Sequence, residues 1–297
     1  MNKLVKKRLA AHFQQLAEWK AKGVDVKLLT PEEKKVTQRI KKQTRKAKLV
    51  KVHVDATPYK IITTGPDSHI DYSLNVSKLF RFGEDFYLEE MNEIRQITLK
   101  HNKIMSDQEK QRNITVDVRK QGRSAHKRQT LNRTGTYNRL KAVQYAERWW
   151  NDYNPDYPEF TDNCTNFISQ CLHAGGAPMH GVPVRDQGWW WRGENWSYSW
   201  AVAHSLRWYL SGSTKGLTAK EVERAEELRP GDIICYDFDG SGRWDHNAIV
   251  VRKDNERQPL VNAQTANSRN RFWKYEDSTA WTENIKYKFF AIHDQFS

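Results

Sequence analysis

The chain has 297 residues, enough for about two domains, and its 38% hydrophobic content suffices for packed cores, which excludes disorder over the whole length. No run approaches the roughly 18 consecutive apolar residues of a membrane span, so no transmembrane segment is predicted. The net charge of +13 is uneven: residues 1–135 carry 30 basic and 15 acidic side chains, whereas residues 136–297 carry 19 and 21. Eleven of the twelve tryptophans also lie in the second part. These shifts predict a domain boundary near residue 135.

The start of the chain and its cysteines both bear on cellular location. The first eight residues have the charge of a secretory leader, but the apolar segment that a leader requires does not follow. Three cysteines argue against a disulfide framework, and Cys164 and Cys171 are seven residues apart on one predicted helix, a geometry that forbids a bridge. We therefore expect reduced thiols and a cytoplasmic protein, with export by a route that needs no signal peptide left open.

Two helices are predicted at the start of the chain. Apolar residues recur at helical spacing between residues 4 and 17, and Gly23 provides a stop signal. Thr30 supplies an N-cap hydroxyl, Pro31 fits the first helical position, and Glu33 completes a capping box for a second helix.

Beyond about residue 48 the apolar period changes to two, which predicts half-buried strands at 50–54, 70–76 and 114–118. Residues 1–135 are thus predicted to form a basic α+β domain that ends in a polar linker at 121–135. Its first 50 residues carry 15 basic and 4 acidic side chains, a surplus that fits an anionic polymer or an anionic lipid surface. Since no nucleic-acid motif accompanies this charge, we favour a solvated surface or one that contacts a protein partner.

Capping patterns predict three helices of the second domain. Thr136 is expected to cap a helix that ends before Pro155. Ser197 is expected to cap another, and Thr218 with Glu221 has the spacing of a capping box for a third. All three are interpreted as scaffold.

The most informative segment surrounds Cys164. Polar capping residues at 162–166 precede apolar residues at helical spacing, and Gly175 with Gly176 ends the pattern. Cys164 therefore falls in the first helical turn, where the positive end of the helix dipole is expected to lower a thiol pKa and raise its thiolate fraction. This position makes it a candidate nucleophile, against the ordinary alternative of an inert core cysteine that we assign to Cys171 and Cys235.

A histidine at the mouth of a strand is the candidate base. Three antiparallel strands are predicted, one launched by the turn at Pro230 and Gly231, one at 245–251 and one at 260–264, with His246 at the mouth of the second strand. A thiol nucleophile needs a base within hydrogen-bond reach, and an imidazole base needs an acceptor that orients it. Asn262 is the preferred acceptor and Gln264 the alternative, because the strand register decides which one faces His246.

Three segments carry a resemblance to a known family: NCTNFISQ at 163–170, RPGDI at 229–233 and DHNAIV at 245–250. In this order they resemble the amidase domain family related to the CHAP and NlpC-type cysteine amidases and peptidases of the papain-like class, over about residues 136–295. Two positions depart from that family, in which Asp often precedes the cysteine where Asn163 stands, and a His-Thr pair is common where Gln264 and Thr265 stand.

The resemblance implies a papain-like α+β domain in which a nucleophile helix packs on a small antiparallel sheet, with Cys164 as nucleophile and His246 as base. It further implies hydrolysis of an amide in a peptide or a peptidoglycan fragment, without a metal or another cofactor. The alternatives are an acyltransferase, a deamidase, or a binding module without turnover. Beside the catalytic residues Cys164, His246 and Asn262, the candidate substrate contacts are Asn163, Trp189, Trp190, Asp245 and Gln264.

Two further patterns have competing interpretations. Residues 237–245 imitate the start of a calcium loop, but Ala248 stands where the bidentate Glu would be needed, so we predict a polar hairpin loop. Trp189, Trp190 and Trp191 are consecutive, and three such side chains are not expected to face inward together. At least one is therefore a candidate for the border of a substrate cleft.

Overall fold

The structure is a computed structural model that describes residues 3–23, 28–42, 45–110 and 135–296. The chain divides into two compact units, the first Met1–Arg112 with Lys274–Trp281 and the second Asn113–Trp273 with Thr282–Ser297. The predicted strand at 114–118 and residues 121–134 of the predicted linker lie outside the described residues. Among the described helices, none has both the length and the apolar character needed to cross a bilayer.

Within the described residues, the first unit contains two helices and four strands that form an antiparallel meander in chain order. These elements are α1 (Lys3–Lys22), α2 (Pro31–Lys42), β1 (Lys48–Thr64), β2 (Asp67–Phe82), β3 (Asp85–Lys100) and β4 (Lys103–Glu109). Both helix signals are confirmed. The Glu33 amide donates to Thr30 Oγ1 at 3.2 Å and the Thr30 amide donates to the Glu33 carboxylate at 2.9 Å, while Gly23 ends α1 with a φ of +60°.

The sequence did not indicate β3 and β4, because charged side chains interrupt the apolar pattern of the inward face of β3. Arg95 is 1% exposed, and Glu93 on the same face is also buried. Arg95 Nη1 donates to Glu33 at 2.9 Å and to Glu93 at 3.2 Å, and its Nε donates to Asp107 at 3.1 Å. The ion pairs compensate the burial of these charges and join α2, β3 and β4.

The second unit is built on an antiparallel sheet with the strand order β12-β11-β10-β9-β13-β8. Its helices are α3 (Arg139–Trp149), α4 (Cys164–Ala174), α5 (Tyr198–Ala201) and α6 (Ala203–Gly212), with a 3₁₀ turn at Ala225–Glu227. Its strands are β5 (Gly135–Thr136), β6 (Trp191–Arg192), β7 (Asn195–Trp196), β8 (Ala219–Val222), β9 (Ile233–Asp237), β10 (His246–Lys253), β11 (Pro259–Ala263), β12 (Asn267–Phe272), β13 (Lys286–Ile292) and β14 (Gln295–Phe296). Apolar side chains of α3, α4 and α6 pack on one face of β9 and β10 and form the core of this unit.

Two of the predicted helix starts differ in the structure. Thr136 belongs to β5, and α3 is capped instead by Asn138, whose Oδ1 accepts the Lys141 amide at 3.0 Å. Ser197 precedes a helix as predicted, but the helix is interrupted at Val202 and continues as α6. The Ser197 hydroxyl is bonded to the backbone of the preceding tryptophan loop and therefore does not cap the helix.

The helix predicted from Thr218 and Glu221 is wrong. Residues 219–222 form β8, and Glu221 pairs with Phe290 of β13. A capping box describes only local bonds, and here the neighbouring strand supplies the partners of the backbone instead.

Candidate active site

Cys164 is the first residue of α4, as its capping pattern predicted, and Asn163 is the N-cap. The residues from Cys164 to Leu172 are all buried, so α4 crosses the core although half of its residues are polar. The polar side chains are paired: Ser169 donates to the Trp200 carbonyl, and Asn166 Oδ1 accepts the Trp200 indole N–H. This helix therefore holds the thiol in a fixed, enclosed position.

Two residues contact the thiol, one on the same helix and one on β10. Thr165 Oγ1 lies 3.7 Å from Cys164 Sγ, and the backbone amide of Asn247 also hydrogen-bonds the sulfur. Asn247 Nδ2 donates to Thr165 Oγ1 at 2.9 Å, which leaves the hydroxyl proton of Thr165 available to the sulfur. These donors favour a thiolate, and they come from α4 and from the start of β10.

Burial nevertheless raises the pKa of the Cys164 thiol, and the negative charge of Asp162 raises it further. The hydrogen bonds from Thr165 and Asn247 only partly offset the loss of solvent. The expected lowering by the helix dipole is therefore wrong for this enclosed state, because desolvation penalises the charged form more than the helix end stabilises it.

The two amides at the start of α4 point at one oxygen atom. Thr265 Oγ1 accepts the N–H of Asn163 at 2.9 Å and the N–H of Cys164 at 3.1 Å. The Asn163 side chain makes no capping bond of its own. Thr265 thus caps α4 from a turn that follows β11.

Asn163 and Gln264, both predicted as substrate contacts, are buried and bonded to each other. Asn163 Oδ1 accepts from Asn166 Nδ2 at 3.0 Å, while Gln264 Nε2 donates to the carbonyl oxygens of Trp149 at 2.6 Å and Asp152 at 2.8 Å. These amides connect the end of β11 to the first turn of α4, so in this state they support the helix.

His246 is the first residue of β10, at the strand mouth as predicted. Because side chains alternate along a strand and Asn247 points at α4, His246 projects from the other face of the sheet. There its ring centroid lies 5.6 Å from that of Tyr236, its partner on β9, and 6.0 Å from that of Phe238. Burial, with the nearby positive charge of Arg271, lowers the pKa of His246 to about 3. The thiol of Cys164 thus lies beside Asn247, the residue that follows His246. The imidazole of His246 is neutral and lies on the face of the sheet that is turned away from the thiol.

Asn262 does not lie beside His246. It is paired with Ile249, three residues further along β10, and projects from the same face as Asn247. Its Nδ2 donates to Glu147 at 2.9 Å, and its Oδ1 accepts the Asn270 amide at 2.8 Å. The register therefore gives Asn262 other partners than the imidazole that we expected it to orient.

Two of the three consecutive tryptophans, Trp189 and Trp190, are buried, although both were predicted as substrate contacts. Trp189 and Trp190 are 0% and 1% exposed, and Trp191 is half-buried against the same core. The indole of Trp189 donates to Ser169 Oγ at 2.9 Å, and that of Trp190 donates to the Val184 carbonyl at 3.1 Å. Both indoles are enclosed and hydrogen-bonded within the protein, so Trp189 and Trp190 are structural rather than substrate contacts in this state.

Asp245 lies in the loop between β9 and β10, which confirms the polar hairpin loop. One carboxylate oxygen each of Asp237, Asp239 and Asp245 lies within 4.8 Å of the others. Asp237 accepts the Gly242 amide at 2.8 Å and Asp245 accepts the Phe238 amide at 3.3 Å, so backbone donors shape this loop. Partial burial raises the pKa of Asp245.

Sequence reasoning missed three residues that surround the thiol: Thr165, Asn247 and Thr265. Thr165 directly follows Cys164, and Asn247 directly follows His246. Because adjacent side chains of a strand face opposite sides of the sheet, the alternation on β10 could have indicated that Asn247, and not His246, faces α4. Thr265 has a φ of +83°, which is rare for a β-branched residue and which local sequence preference argues against.

Residues 136–290 match the model of a family that is described as "Putative amidase domain". Uncharacterized protein YhbB of Bacillus subtilis (strain 168) is 46% identical over 269 residues, which cover 88% of this chain and 86% of that protein. Uncharacterized protein YjcM of the same strain is 30% identical over 131 residues, which cover 40% of this chain and 29% of that protein. No solved structure matches the chain significantly.

Proposed function

Because this chain belongs to the family described as "Putative amidase domain", we propose that it hydrolyses an amide bond through the thiol of Cys164. One observation carries the proposal: the sulfur lies at the first residue of a buried helix, between backbone amides and the Thr165 hydroxyl that stabilise negative charge. A papain-like architecture, related to the NlpC and CHAP types, belongs to the same proposal and is supported by the packing of α4 on an antiparallel sheet.

In the proposed reaction, Cys164 Sγ forms a bond to the carbonyl carbon of the amide as its proton passes to the imidazole of His246. The imidazolium gives this proton to the amide nitrogen, the C–N bond breaks, and a thioester and a free amine result. Water then attacks the thioester and loses a proton to His246, and the thiol and a carboxylic acid are regenerated. The amides of Asn163 and Cys164 stabilise the oxyanion in both steps.

Such a mechanism requires the imidazole of His246 to move toward the thiol from its packing against Tyr236 and Phe238. Because adjacent side chains of a strand face opposite sides of the sheet, this movement requires the backbone at the start of β10 to rotate. His246 is the first residue of that strand, and the next residue, Asn247, contacts the sulfur through its backbone. Burial disfavours charge on both groups in the resting state, so entry of solvent or substrate would bring the two pKa values toward their ordinary range.

The test is the reactivity of the three cysteines toward iodoacetamide at pH 7, followed by peptide mass spectrometry. We expect Cys164 to be alkylated faster than Cys171 and Cys235, which are 0% exposed. The substitution His246→Ala should slow this alkylation, whereas Cys171→Ala, the matched control on the same helix, should leave it unchanged. Equal reactivity of all three thiols would contradict the proposal and favour a binding module without turnover.

The substrate class that we propose is an amide of a peptide or of a peptidoglycan fragment. Libraries of both kinds should be incubated with the wild type and with Cys164→Ala, and the products weighed by mass spectrometry. Hydrolysis adds 18 Da in total to the products, since one water is consumed. Acyl transfer would instead join the acyl group to another amine. Deamidation also consumes one water, but its leaving group is ammonia, so the retained product is about 1 Da heavier than the substrate and no peptide fragment is released.

A further inference from the structure

The oxygen-binding end of α4 is already filled in the resting protein. Thr265 Oγ1 accepts both N-terminal amides, from Asn163 at 2.9 Å and from Cys164 at 3.1 Å. An oxygen atom that two amides hold beside a nucleophilic sulfur occupies the place where a substrate carbonyl oxygen is stabilised as it gains negative charge. The Thr265 hydroxyl therefore competes with the substrate for the same two donors.

The backbone of Thr265 is not in a relaxed conformation. Its φ of +83° is unfavourable for a β-branched residue, and it lies in an exposed turn two residues after β11 ends. Gln264, directly before it, is buried and anchored by its own hydrogen bonds. The turn can thus release the hydroxyl toward solvent while Gln264 remains in place.

A separate feature of the site is suited to an incoming amide. Asn247 is 0% exposed, and its Nδ2 donates to Thr165 Oγ1 beside the thiol. Within the described residues, Asn247 Oδ1 has no hydrogen-bond partner. Since a buried acceptor without a donor is unfavourable, a ligand that carries an N–H would find an open acceptor here.

We propose that Thr265 is a displaceable plug of the oxyanion site, which caps α4 in the resting protein and yields both amides to the carbonyl oxygen of the substrate. The inference rests on the proposed function. It adds to that function a residue, Thr265, that controls access of the substrate oxygen to the two amides. It also explains why Cys164 is enclosed before substrate binds. It also favours substrates that present a carbonyl oxygen and an N–H together, as secondary amides do.

The test uses the aldehyde acetylglycinal, which carries an amide N–H and forms a reversible adduct with thiols. Sulfur bonds to the aldehyde carbon and the thiol proton moves to the oxygen, so the adduct places an oxygen at the two amides. Affinity is measured in the full-length protein as the protection of Cys164 from iodoacetamide. We expect Thr265→Ala to bind the aldehyde about tenfold more tightly than the wild type, because no hydroxyl has to be displaced.

Thr265→Ser keeps the hydroxyl and should bind the aldehyde as the wild type does. If Thr265→Ala does not fold, Thr265→Val removes the hydroxyl while it retains the shape of the side chain. Equal or weaker binding by the variant without the hydroxyl would overturn the plug and leave Thr265 as a simple helix cap. If Cys164 is still alkylated preferentially but its protection by the aldehyde does not depend on residue 265, this inference alone is rejected. Absence of preferential alkylation in every variant would reject the proposed function and the plug with it.

Discussion

Gln264 joins the end of β11 to two other segments through both ends of its amide group. Its Nε2 donates to the carbonyl oxygens of Trp149 and Asp152, and its Oε1 accepts from Asn163. Because Asn163 is the N-cap of α4, these bonds fix the helical turn that carries Cys164. A buried network of this kind depends on every member, since removal of one partner leaves the others unsatisfied.

The substitution Gln264→Ala is therefore expected to lower the free energy of unfolding by about 1–3 kcal/mol, the cost of unpaired buried polar groups. Urea denaturation followed by tryptophan fluorescence measures this change. Gln187→Ala, at an exposed position of the same unit, is the matched control and should change stability by no more than about 0.5 kcal/mol. Equal effects of the two substitutions would show that the network contributes little.

The position of Cys164 could be predicted from the sequence, whereas its protonation could not. Capping residues and helical spacing are local signals, and both were sufficient to place the thiol in the first turn of α4. The degree of burial depends on β10 and on the Thr265 turn, which lie about 80 to 100 positions away in the chain. For the same reason, the register that separates Asn262 from His246 was not available from either strand alone.

Among the elements, α2 and β3 show why one was predicted and the other was missed. The capping box of α2 is closed by residues three positions apart, so the sequence contains all of it. The inward face of β3 instead carries Glu93 and Arg95, whose partners come from α1, α2 and β4. In the sequence, charged residues at these positions indicate a solvent-exposed face, because the pattern does not show the buried partners that compensate them.

The substitution Arg95→Met tests how strongly this ion network holds the helices to the sheet. It leaves Glu33, Glu93 and Asp107 without their shared cation, and removal of one partner from a buried pair costs about 3–5 kcal/mol. Although burial acts to raise it, the charges of Lys20 and Arg95 lower the pKa of Glu93 to about 2. Without Arg95 the pKa of Glu93 should rise. The difference in free energy of unfolding between the wild type and Arg95→Met is therefore largest near pH 7, where the unpaired carboxylates are charged. It becomes smaller as the pH falls and these carboxylates are protonated.

Circular dichroism of the strands and helices during urea denaturation at pH 7 and pH 4.5 measures the effect of Arg95→Met. Arg81→Met is the control, because Arg81 pairs with Glu84 at 3.3 Å on the surface, with side chains 52% and 96% exposed. Exposed pairs contribute about 0–1 kcal/mol, so the control should be nearly neutral at both pH values. A loss in Arg95→Met that does not depend on pH would exclude uncompensated carboxylates as its cause.

At the scale of the whole molecule, shifts in charge and tryptophan content predicted two domains, but no composition signal marks the return of residues 274–281 to the first unit. This segment is tied there by Arg39, whose Nε donates to the Glu276 carbonyl at 2.9 Å and whose guanidinium lies 4.9 Å from the Trp281 ring. Arg39 and Glu276 are 237 positions apart, so no local sequence pattern indicates that they are bonded. The membership of residues 274–281 in the first unit is therefore visible only in the structure.

Ten of the twelve tryptophans lie in the second unit, between residues 149 and 273, so intrinsic fluorescence reports chiefly on that unit. The same unit contains His246, whose pKa is about 3 when folded and near 6.5 when exposed in the unfolded chain. Above pH 6.5 neither state binds a proton at this residue, and stability does not depend on it. Between pH 6.5 and 3 the unfolded chain binds one proton more, so acid favours unfolding.

We therefore expect the free energy of unfolding of the second unit to fall by about 1.4 kcal/mol per pH unit through His246, from about pH 6.5 down to about pH 3. Urea midpoints from tryptophan fluorescence at several pH values measure the slope. His246→Gln should reduce the slope of the free energy of unfolding by about 1.4 kcal/mol per pH unit over this window, which corresponds to one proton. His180→Gln, at an exposed position of the same unit, is the control and should leave the slope unchanged. Carboxylates that titrate in the same pH range contribute equally to the slope of the wild type and of both variants, so they do not affect the difference between the slopes. If His246→Gln and the wild type have parallel pH profiles, the imidazole is already protonated in the native protein near pH 6, and the buried neutral base proposed for the hydrolytic mechanism is not the resting state.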